Sequence, residues 1–69
     1  MKIKGVANSI ALVELSSDEI GILNNALNEV CNGISLEGEF DTRMGCTVEE
    51  ARHLLAEVNK LGKSIENPN

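Results

Sequence analysis

Sixty-nine residues make one domain at most, and at that length a core supplies only about 3–5 kcal/mol of net stability, so a second copy or a partner is an expected source of support. Apolar residues make up 42% of the chain, too many for a disordered segment, and the single aromatic residue, Phe40, leaves the core to Leu, Ile, Val and Ala. One ring also excludes a base-stacking platform for single-stranded nucleic acid. The formal charge is −5, yet ten of the eleven acids lie between Glu14 and Glu57 against Arg43 and Arg52 alone, while Lys2, Lys4, Lys60 and Lys63 sit at the two ends. A field of that sign repels phosphate backbones and draws in basic protein surfaces.

No apolar run reaches the length of a membrane span, and Met1-Lys2-Ile3-Lys4 is not followed by a signal-type core with a cleavage site. The expectation is a cytoplasmic chain without membrane attachment or bound nucleic acid. In that compartment Cys31 and Cys46 would be reduced thiols, although a single disulfide is also compatible with their spacing.

In chain order, "KIKGV" and "IALVEL" are rich in β-branched and aliphatic residues and flank an Asn8-Ser9 turn signal, which predicts a β-hairpin. A helix competes, because Ile3, Ala7, Ile10 and Val13 also fall at helical spacing, but Gly5 and the Val/Ile content oppose it. An isolated hairpin is marginal, so it must lie on helices or pair with a second copy. "SSDE" then starts the first long helix, with Ser16 and Glu19 at capping-box spacing and Asp18 and Glu19 where the helix dipole favours negative charge. Ile20, Ile22, Leu23, Ala26, Leu27, Val30 and Cys31 fill one half of its circumference, and Asn24, Asn25, Asn28, Glu29 and Asn32 the other. Asn32-Gly33 is expected to end it, with glycine in the left-handed conformation and Ile34 folding back on the last turn.

A short helix is predicted between Gly38 and Gly45, where Glu39 and Arg43, and Phe40 and Met44, are four apart. Thr47 and Glu50 form a second capping box, and Val48, Ala51, Leu54, Leu55, Val58 and Leu61 give the next helix an apolar stripe that Gly62 should end. The whole reads as an α+β domain over residues 1–62, an N-terminal β-hairpin packed on two antiparallel helices with a short helical turn between them, and a flexible tail over 63–69.

Little in the chain supports catalysis. His53 has Glu49 and Glu57 one turn to either side, and "EARH" has the Glu-x-x-His spacing of di-iron bundles, but on a polar face it reads as a solvated salt-bridge surface. Cys31, Cys46 and His53 match no zinc-finger spacing. Cys46 precedes a helix N-terminus, where a thiol can be activated, yet His53 is about two turns away and no third group orients the pair. There is no glycine-rich phosphate loop, so no catalytic residue, metal or cofactor is expected.

The asparagines are the stronger signal. Each costs on the order of 0.5 kcal/mol against Ala inside a helix, so Asn24, Asn25 and Asn28 together forgo about 1–2 kcal/mol. Three readings stay open: a tolerated solvated face, amides of Asn24 or Asn28 that anchor the "EGEFDTRMG" segment, or a contact surface made by Asn25, Asn28 and Glu29. Phe40 and Met44 read as a lid on the core. Glu39, Asp41 and Arg43 lie on the connecting segment best placed to act as a binding loop.

"LNNALNEVCNGI", "EFDTRMG" and the Thr-capped "VEEARHLL" together resemble a group of short bacterial proteins that share an ALNEVCNG segment, over roughly residues 15–55. That likeness implies no activity and no site residue. More loosely, a small acidic non-enzymatic domain is similar to immunity proteins, which neutralise secreted toxins that are often basic nucleases. The expectation is therefore an acidic protein-binding domain, most concretely an immunity-type inhibitor covering a basic toxin or enzyme through Asn25, Asn28, Glu29, Glu39, Asp41 and Arg43. The alternative is a self-associating structural or regulatory subunit, a homodimer joined through the hairpin edge.

Overall fold

A computed structural model describes residues 1–33 and 39–66. Strands β1 (Lys2–Ala7) and β2 (Ile10–Glu14) form an antiparallel hairpin. Its two-residue turn holds Asn8 at φ 52° and Ser9 at φ 67°. Both angles are positive, as a type I′ turn requires, and the twist of that turn matches that of the strands. The pairing runs Lys2 to Glu14, Ile3 to Val13, Gly5 to Leu12, Val6 to Ala11 and Ala7 to Ile10, so Lys4 is the extra residue of a β-bulge.

Helix α1 (Ser17–Asn28) starts at the expected box: the Glu19 N–H donates to Ser16 Oγ at 3.1 Å and the Ser16 N–H to Glu19 Oε1 at 2.9 Å. The coil then widens into a π-helical turn over Glu29–Gly33. Gly33 is not in the left-handed region, contrary to expectation. Its lack of a side chain serves a different purpose, because a Cβ there would stand 2.7 Å from the Glu29 carboxylate that lies over it. Ile34 and Gly38, which enter two of the expectations above, lie outside the described residues.

Helix α2 (Phe40–Met44) is the expected short turn, closed by Gly45 at φ 73° with its N–H donating to the Asp41 carbonyl at 2.9 Å. Helix α3 (Val48–Glu66) begins at the second box, with Glu50 N–H to Thr47 Oγ1 at 3.1 Å and Thr47 N–H to Glu50 Oε1 at 2.9 Å. It runs through Gly62 instead of stopping there, for a packing reason. Gly62 faces α1, where its Cβ position is 3.5 Å from Ile20 Cγ2, so tertiary contact overrides the weak helix propensity of glycine.

Ile20 meeting Gly62, and Asn24 meeting Asn59, set α1 and α3 antiparallel. Ile20, Cys31 and Ala51 are the buried apolar residues among those described, with Leu27, Val30, Phe40, Met44, Val48, Leu55 and Val58 half-buried around them. The architecture is α+β, a hairpin followed by helices, as the pattern predicts. The hairpin meets the helices at its open end. There Met1 and Leu15 line an apolar cleft with Glu19, Ile22 and Leu23, and the Met1 ammonium bonds the Glu19 carboxylate.

Candidate interaction surface

Three faces of α1 follow from 100° per residue and from burial. The seam toward α3 carries Ile20, Leu27 and Cys31, and Asn24 falls among them. Asn59 Nδ2 donates to Asn24 Oδ1 across the seam at 3.4 Å, near the long limit of a hydrogen bond. Asn24 therefore ties α1 to α3; Glu37 and Gly38 of the "EGEFDTRMG" segment that it or Asn28 is expected to anchor lie outside the described residues.

The second face is the asparagine face. Asn25, Asn28, Glu29 and Asn32 are all exposed. Asn32 Nδ2 donates to Asn28 Oδ1 at 3.1 Å, which fixes the Asn28 amide, and Glu29 bends back over Gly33. The short amide side chains of Asn25, Asn28 and Asn32 lose little freedom when a partner orders them, which suits a contact surface.

The third face departs from the sequence expectation. Ile22 is 67% and Leu23 43% exposed, and Ala26 is exposed beside them. An apolar arc half the circumference of a helix is wider than one neighbouring helix covers, and that width was the available signal. Leu54 and Leu61, expected in the α3 stripe, are likewise largely uncovered.

Glu39, Asp41 and Arg43 are exposed on and before α2, and Arg43 Nη1 lies 3.8 Å from Glu39 Oε2. The pair is solvated, so it orders the turn more than it stabilises it. Among the six candidate contact residues, the structure groups Asn25, Asn28 and Glu29 on α1 and its π turn, and Glu39, Asp41 and Arg43 around α2. Residues 34–38 separate the two groups in sequence.

His53 is exposed on α3, and Cys31 (buried) and Cys46 (half-buried) are free thiols. Among the described residues no three of His, Cys, Asp and Glu converge on a point where a metal ion could sit. Between α1 and α3 lies a groove of about 240 Å³, lined by Ser17, Asn24, Asn59 and Lys63 among apolar neighbours. Its two amides are bonded to each other, and its volume is below that of ordinary ligand pockets. Two carboxyls are held below the usual range: Glu19 by the Met1 ammonium and then the Ser16 backbone, and Glu50 by the Thr47 backbone N–H and hydroxyl. Both belong to helix caps. No described helix is long and apolar enough to cross a membrane. Compared with protein-family models, curated proteins and solved structures, the chain has no match in any of the three.

Proposed function

We propose that this chain is a cytoplasmic protein-binding module without enzymatic activity, an immunity-type inhibitor that neutralises a basic toxin or enzyme by covering its surface. The observation that carries the reading is the exposed stripe of Asn25, Asn28 and Glu29 on α1 and its π turn, with the Asn28 amide held by Asn32, in a chain of charge −5. The carboxylates steer a basic surface toward the stripe, and the amides supply directional hydrogen bonds once it arrives. Glu39 and Asp41 add to the same field, and Arg43 offers a donor fork at the rim.

The test is capture of the basic partner from the source cell, followed by binding measurements at low and physiological salt. Affinity should fall as salt rises, and Asn25→Ala/Asn28→Ala/Glu29→Ala should weaken it at least ~10-fold and release the partner's inhibited activity. Salt-independent binding that the triple variant leaves intact would refute the reading. A self-associating subunit is the second reading, favoured by the uncovered apolar hairpin.

A further inference from the structure

The hairpin presents one wholly apolar face. Alternation along β2 puts Ala11 and Val13 on one side, and their partners Val6 and Ile3 share it. Ile3 and Val6 are three apart and would face opposite ways in a regular strand; the bulge at Lys4 turns both to the same side. That face is uncovered, with Ile3 65% and Val6 72% exposed. Lys2, Lys4 and Glu14 belong to the other face, where Lys4 Nζ stands 3.8 Å from Glu14 Oε2.

We propose that the hairpin is an exchange arm: in a two-fold dimer, the Ile3–Val6–Ala11–Val13 face of one copy covers the Ile22–Leu23–Ala26 stripe on α1 of the other. Two quantities choose a second copy as the occupant. The chain exposes 5522 Å², whereas a compact monomer of its mass exposes about 4,200 Å². The difference, about 1,300 Å², falls within the range that one partner of an obligate dimer buries. In keeping with this, the radius of gyration is 13.7 Å against about 11 Å for a compact chain of this length. Charge points the same way. At the scale of whole elements, the hairpin carries Lys2 and Lys4, on its outer face, against Glu14 alone, whereas α1 carries Asp18 and Glu19 and no base, so a net basic arm is drawn toward an acidic helix in a chain whose net charge would otherwise repel a second copy. The stripe is distinct from the Asn25–Asn28 face, so the dimer does not depend on the inhibitor reading.

Sedimentation equilibrium on the full chain should give twice its 7.4 kDa mass at micromolar concentration. Val6→Asp on the arm and Ile22→Lys on the receiving helix should each raise the dimer dissociation constant at least ~100-fold, with the far-UV helical signal retained. Mixing the two variants is the decisive step. A mixed dimer keeps one intact arm-on-helix contact, and in the other it sets the introduced carboxylate of one chain against the introduced ammonium of its partner. Mixing should therefore restore dimers that neither variant forms alone. A monomeric parent chain overturns the proposal, whether or not it binds lipid vesicles or another protein. So does a dimer that survives Ile22→Lys, which would mean pairing through strand edges, and so does a mixture that stays monomeric.

Discussion

Asn24 occupies a position in the α1–α3 seam that an aliphatic side chain would fill, and a 3.4 Å hydrogen bond to an exposed Asn59 is weak compensation. Asn24→Leu should therefore raise stability by about 1 kcal/mol, read as a midpoint several degrees higher in thermal melting. An unchanged or lowered midpoint would mean the amide pair matters more than its length implies. The caps make a pH-dependent contribution. Because Glu19 and Glu50 titrate below the ordinary 4.5 in the folded chain, the stability they lend is complete above that value. It is lost as pH falls through the lower, folded values. Acid titration of helicity should show this loss, and Glu50→Gln should remove part of the pH dependence. Thr47→Ala should cost about 1 kcal/mol at neutral pH.

Among the elements, Gly62 is the clearest case of packing overruling local preference. Its Cβ position is in ordinary contact with Ile20, so Gly62→Ala should fit and gain up to about 1 kcal/mol of helix propensity, measurable by denaturant midpoint. The hairpin turn offers a similar gain. Ser9 is held at φ 67°, and Ser9→Gly should slow hydrogen exchange of the β1 and β2 amides. Both capping boxes, the Asn8-Ser9 turn and the Gly45 stop were readable from sequence because each depends on residues within a few positions of one another. The end of α1, the continuation of α3 past Gly62 and the outward turn of Ile22 were not. The π turn that ends α1 has no residue signature in a local window, while the other two depend on distant contacts: the approach of Ile20 to Gly62, and the packing of α1, among the described residues, against α3 on one side. The exposure of Asn25 and Asn28 did follow from the helical wheel, whereas the placement of Asn24 in the seam did not, because it depends on which part of a wide apolar arc α3 covers.

At the scale of the whole molecule, the chain has a thin core and a large apolar exterior. Ile20, Cys31 and Ala51 are its buried apolar residues among those described, while Ile3, Val6, Ile10, Leu12 and Ile22 are each about two-thirds or more exposed. Such a balance is unusual for a stable monomer and ordinary for a subunit whose fold is completed by association. Two faces of α1 are exposed, one polar, which the proposed function gives to a basic partner, and one apolar, which the proposed dimer gives to the arm of a second copy. The exposed apolar surface is the basis of the proposed dimer, which stands apart from the polar face of the inhibitor reading. The most direct measurement is therefore the mass of the unmodified chain in solution, by sedimentation equilibrium over a range of micromolar concentrations. Twice 7.4 kDa, falling toward the chain mass on dilution, is the expected result, and a single species of 7.4 kDa at every concentration would contradict it.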